Sequence, residues 1–97
     1  MIRHVAMIRF VEGVDASDVA ELDRELGTLP DLVPGIVAFS CGADLGVTDG
    51  SWDYVVVADF ATVDDYRRYA THPSHVEILR TVTGPRTARV ERVQYRI

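Results

Sequence analysis

An α+β domain, with a four-stranded antiparallel sheet carrying both helices on one face, is predicted by three features of this 97-residue chain. Four segments alternate with the two-residue period of a strand, and two carry the three-to-four-residue period of a helix. They follow one another as β-α-β-β-α-β. The length suits a single domain over residues 1–97, and 47% hydrophobic with 26% charged residues is the balance of an ordinary folded globule.

The first strand is expected from Ile2 to Val11. Ile2, His4, Ala6, Ile8 and Phe10 share one face; Arg3, Val5, Met7 and Arg9 share the other. Glu12 and Gly13 turn the chain. Asp15 or Ser17 can cap a helix running to about Leu26, with Val19, Leu22, Leu26 and Leu29 as its apolar stripe. Gly27, Pro30 and Pro34 end it and shape a loop. Ile36 to Cys41 reads as the second strand, followed by a polar, Gly-rich hairpin loop from Asp44 to Ser51. Trp52 to Phe60 is the third strand, with Tyr54, Val56, Ala58 and Phe60 on one face and Val55 and Val57 on the other. Thr62 with Asp65 resembles a capping box that opens a second helix carrying Tyr66 and Tyr69. Pro73 interrupts this helix, a further turn or two runs from Ser74 to Arg80, and Gly84 and Pro85 stop it. Ala88 to Ile97 is the fourth strand, with Val93, Tyr95 and Ile97 on one side and Ala88 and Val90 on the other.

The order of elements is the ferredoxin-like arrangement, two split βαβ units with both helices on one face of the sheet. Helices cover only that face, yet the first and third strands are apolar on both. A monomer would leave one apolar surface in water, which is an association signal. The expected remedy is a homodimer in which two open sheet faces pack together into an α/β barrel. A domain this small buries only about 60–70% of its unfolded surface, so such a partner also adds stability.

The formal net charge is −5, and all ten basic side chains are Arg. This excludes a phosphate-binding surface, and with it nucleic acid and anionic membranes as expected partners. The single cysteine, Cys41, forms no disulfide within the chain and no thiolate metal site. No signal peptide and no apolar run near the ~20 residues of a membrane span are visible, so a cytoplasmic location is expected.

Two of the three histidines fall in one seven-residue cluster, Tyr69-x-x-His72-Pro73-x-His75. Proline disfavours the α conformation in the residue before it, so His72 is expected extended, as a cap. Pro73 then takes the first helical position, where its missing N–H is harmless. His75 falls at the third position, where the field of the helix start keeps its ring neutral near pH 7. A neutral imidazole can accept a proton, which makes His75 the candidate general base. Tyr69 can offer its hydroxyl to a developing oxyanion. If the His4 face of the first strand meets the helices, His4 is expected to converge on the same apolar pocket, lined by Tyr54, Val56, Phe39 or Cys41. The same residues would also serve simply to lock a helix corner.

Other clusters carry less. His72, His75 and His4 offer nitrogen ligands for a metal, but no carboxylate joins them and Pro73 breaks the helical face, so no metal and no cofactor are expected. Asp44, Asp49 and Asp53 suit turn chemistry better than a hard cation.

His4-Val5 with its apolar strand, Trp52 to Phe60, Asp65-Tyr66 and Tyr69-x-x-His72-Pro73-Ser74-His75-Val76 together resemble the stress-responsive dimeric α/β-barrel (Dabb) domain family. The resemblance covers nearly the whole chain and implies ferredoxin-like monomers paired so that two sheets form a barrel. An enzymatic member, olivetolic acid cyclase, closes an aromatic ring in a linear polyketide thioester by aldol condensation. Its motif implies His75 as base, Tyr69 assisting at the carbonyl, His72 as a supporting cavity residue, and His4 as the family's strand histidine. The expected function is thus a cofactor-free enzyme acting on a small polyketide-like or aromatic substrate. Two alternatives share the cavity. One is a non-catalytic dimeric module binding a small hydrophobic ligand. The other is a cofactor-free oxygenase, as found in the wider dimeric-barrel group.

Overall fold

The computed structural model describes residues 1–97 and contains the four expected strands: β1 (Ile2–Phe10), β2 (Ile36–Ala43), β3 (Tyr54–Phe60) and β4 (Thr87–Arg96). They form one antiparallel sheet in the order β2-β3-β1-β4. Between the strands lie α1 (Ala16–Leu26), α2 (Leu29–Leu32), α3 (Val63–Thr71) and α4 (Pro73–Ile78). A π-helical turn over Leu79–Thr83 and a 3-10 turn over Gly84–Arg86 link α4 to β4.

Local chemistry explains where the helices start. The Asp15 carboxylate accepts the backbone N–H groups of Ser17 and Asp18, and Asp18 accepts that of Asp15, a complete capping box. At α3 only half of the expected box forms. Thr62 accepts the Asp65 N–H at 3.1 Å, but the Asp65 carboxylate is held by Arg68 instead of returning to the cap. The loop expected around Pro30 contains one helical turn, α2, because Pro30 sits in the first turn where no N–H is needed. Leu29 and Val33, both buried, anchor that turn to the core.

The two faces of the sheet divide as the alternation requires. Tyr54, Val56, Ala58 and Phe60 of β3 and Ile2, His4 and Ile8 of β1 are buried beneath the helices. Val5, Met7, Val55, Val57, Val93 and Tyr95 lie on the opposite face, where Val93 is 55% and Tyr95 46% exposed. Asp59 also lies there, paired with Arg3 through two bonds of 2.8 and 2.9 Å. The guanidinium holds its carboxyl below the usual carboxylate range. Trp52 and Asp53, expected at the start of the third strand, stand just outside it. Asp53 accepts the Phe10 N–H at 2.8 Å, and the Trp52 ring lies under the Arg9 and Arg89 guanidinium groups.

Candidate functional site

The helix break is built by His72. Its backbone is extended (φ −61°, ψ 135°), as a residue before proline prefers, and its ring Nδ1 accepts the Ser74 N–H at 3.1 Å. This re-aims α4 relative to α3 and sets His75 as the third residue of α4, buried beside Tyr69. After the π-turn, Gly84 allows the chain to close on itself: a Cβ there would lie 2.6 Å from the Leu79 carbonyl oxygen.

Between these segments and the β1–β4 side of the sheet lies a cavity of about 430 Å³. His4, Ala6 and Ile8 form its floor, with Val90 and Arg92 beside them on β4. Tyr66, Tyr69 and His75 form one wall and Thr83 of the π-turn another. The aromatic rings are in contact: the Tyr69 centroid is 4.1 Å from that of His75 and 5.9 Å from that of His4, and Tyr66 is 4.8 Å from His4.

Hydrogen bonds set the two histidines as opposite tautomers. The His75 Nδ1 lies 3.1 Å from the Ala70 carbonyl oxygen, which can only accept, so Nδ1 carries the hydrogen and Nε2 keeps its lone pair. The His4 Nδ1 accepts from the Gln94 amide at 3.0 Å, which leaves the hydrogen on Nε2. Burial pushes the His4 pKa down to about 4, helped by the nearness of His75 and Arg92. His75 is likewise lowered, chiefly by burial, with the Ala70 carbonyl opposing it. Loss of water thus favours the neutral His75 ring that its place at the helix start predicts. Burial also raises the Tyr69 pKa, so its phenol is a neutral donor near pH 7. The residues that line the cavity thus include one with a basic nitrogen, His75, and two with neutral hydrogen-bond donors, His4 and Tyr69, among mostly apolar neighbours.

The structure brings His4, Tyr69 and His75 together at this cavity and separates them from the other expected site residues. His72 turns its ring to the Ser74 backbone and lines no part of it. Tyr54 is buried in the packed core, and its hydroxyl donates to Asp23 of α1 at 2.6 Å. Phe39 packs half-buried against that same core. Cys41 is also away from the cavity, while Val56 does line it. Tyr54, Phe39 and Cys41 share the helix-facing side, but they stand on β2 and β3, where α1 and α2 fill the space. Tyr66, Thr83 and Arg92 of the lining, and Gln94 bonded to His4 beside it, are given no site role by the sequence. For Arg92 and Gln94 a signal is present. Arg92 and Gln94 continue the alternation of Val90 on β4, and a polar residue at an inward-facing strand position marks a site.

A family model described as the stress responsive A/B barrel domain (Dabb) matches residues 2–94. The chain is 25% identical over 85 residues to the stress-response A/B barrel domain-containing protein HS1 of Arabidopsis thaliana, covering 86% of this chain and 78% of that protein. Among solved structures, a dimeric ferredoxin-like protein of unknown function from Thermobifida fusca superposes with a TM-score of 0.90 at 34% identity, over 99% of this chain and 90% of that one. Hydroxynitrile lyase from Passiflora edulis superposes with a TM-score of 0.83 at 18% identity, over 99% of this chain and 92% of the lyase. With the fold, the strand histidine and the Tyr-x-x-His-Pro-x-His corner on the same chain, the protein belongs to the stress-responsive A/B barrel (Dabb) family.

Proposed function

We propose that this chain is a cofactor-free enzyme that removes an acidic C–H proton from a small polyketide-like or aromatic carbonyl substrate. The observation that carries this is the pairing of opposite tautomers at one cavity, His75 with a free Nε2 lone pair and His4 with an Nε2–H. His75 takes the proton, and the C–H electron pair moves into the carbonyl to give an enolate. The Tyr69 hydroxyl and the His4 Nε2–H stabilise the oxygen that gains the charge. In a cyclase the enolate carbon then attacks a second carbonyl of the same chain, forming the ring bond, and His75 returns its proton to the new alkoxide. The cavity supplies orientation and excludes water. That this fold accommodates an enzyme is supported by the Passiflora lyase. The apolar face of Val5, Met7, Val55, Val57 and Val93 favours a homodimer, and the described dimeric state of the Thermobifida protein supports it.

Solvent-deuterium exchange into acetylacetone, a small diketone with an acidic C–H, tests this without a known substrate. The native protein is expected to accelerate exchange, and His75→Ala to reduce the acceleration by about 10²- to 10⁴-fold. The variant is expected to sediment as the same two-chain species as the native protein. Undiminished exchange in a folded His75→Ala dimer would remove His75 as the base and leave ligand binding as the function.

A further inference from the structure

The proton-transfer groups leave two features of the cavity unused. The first is Arg92. Eight of the ten arginines are paired with carboxylates, and of the two that are not, Arg92 and Arg96, only Arg92 lines the cavity. No carboxylate lines it at all, although the chain has 15 acidic residues. With His4 and His75 neutral, Arg92 is the one full charge there, and a chain of net charge −5 surrounds it. The second is Thr83. It is 94% buried, lines the same cavity, and its Oγ1 is the only buried side-chain polar atom of the protein without a hydrogen-bond partner. Buried hydroxyls are almost always satisfied, so an unpartnered one in a residue that lines a cavity points to a partner that the chain itself does not supply.

We propose that the cavity selects organic acids, with Arg92 anchoring an ionised carboxylate at its mouth and the Thr83 hydroxyl bonding a further polar atom of the ligand inside. The apolar body between these contacts lies on Ala6, Ile8 and Val56. A guanidinium matches a carboxylate through two parallel N–H donors, and Arg92, exposed at the rim, offers an anion a positive site on an otherwise acidic protein. The proposal names the substrate class for the proton-transfer site and rests on that assignment only for the cavity being a site.

Titration calorimetry with two matched pairs of probes tests it: benzoate against benzamide, and hexanoate against hexanamide. The native protein is expected to bind each carboxylate at least about tenfold more tightly than its amide, the scale of a charge-assisted hydrogen bond. Arg92→Gln is expected to bring each pair within about twofold by weakening the acid alone. Thr83→Val is expected to weaken both members about fivefold, and Thr83→Ser to restore them. Equal affinity within the pairs, discrimination that survives Arg92→Gln, or no saturable binding of any probe would each overturn the proposal. Exchange into uncharged acetylacetone would be unaffected by that failure, so the two assignments fall separately.

Discussion

The helix-covered face of the sheet has two halves that obey the same alternation and end differently. Over β2 and β3 the space is solid: Leu22, Leu29, Val33, Tyr54 and Phe60 are each at most 2% exposed. Over β1 and β4 it is hollow, and the inward positions change from uniformly apolar to His4, Arg92 and Gln94. The helices above differ in the same way. α1 brings leucines at helical spacing, whereas the α3–α4 corner is bent by Pro73 and brings rings that stack on one another. One half is built for burial and the other gives up packing to set polar groups around a hollow.

The largest expected effect tests that division by truncation. Leu22→Ala, in the solid half, should lower the unfolding free energy by about 3 kcal/mol, the sum of lost transfer energy and a cavity that cannot collapse. Leu79→Ala removes a side chain of the same size from the cavity wall, where it is 40% exposed, and should cost about 1 kcal/mol or less. Urea unfolding of both variants reads the difference directly. Similar losses at the two positions would mean that the hollow half is packed as tightly as the solid one.

Acid should separate the halves next, because the solid half contains no histidine. His4 titrates near 6.5 when unfolded and near 4 when folded, so the unfolded chain binds its proton first as the pH drops. Its contribution is complete above pH 6.5 and is lost between about 6.5 and 4. It amounts to something on the order of 2 kcal/mol once screening by solvent at the mouth is allowed for. His75 adds to the same loss, since burial lowers it in the same direction. The carboxylates of Asp59 and Asp65, held down by Arg3 and Arg68, contribute stability that disappears only below their unfolded value of 3.8. Unfolding free energies measured across this window should fall in parallel for the native protein and Leu22→Ala. A flat profile would show the two imidazoles to be solvated.

The same contrast explains what was legible in the residues. The alternation of β1 and β3, the Thr62 cap and the break at Pro73 are local features, fixed by spacing and by backbone sterics, and they appear where the sequence puts them. Which inward-facing residue meets a leucine and which meets a hollow depends on strand order and on where each helix settles. Tyr54 and Phe39 were expected at the pocket because they share its face, but β3 and β2 lie under α1 and α2. The resemblance implied His72 as a cavity residue, but capping α4, which its place before proline predicts, turns its ring to the backbone. Arg92 and Gln94 continue the inward register of Val90, so polar residues there are the local sign of the hollow. Thr83 gave no signal, since a π-turn has no sequence period and an unpartnered hydroxyl is visible only once its surroundings are.

That hydroxyl offers the smallest and most pointed test. A buried Oγ1 without a partner is a net loss to folding, so Thr83→Val, which keeps the shape and removes the polar atom, should raise the unfolding free energy by about 0.5–1 kcal/mol. In the solid half the corresponding change runs the other way. There the buried Tyr54 hydroxyl is satisfied by Asp23, and deleting it would leave that carboxylate without its partner. A stabilised Thr83→Val protein that has also lost affinity for the carboxylate probes would show stability surrendered for binding, the trade expected where a polar group is kept for a ligand and not for the fold. A destabilised one would mean that the hydroxyl already has a partner in the folded chain, and the hollow half would then be a less committed site than its geometry implies.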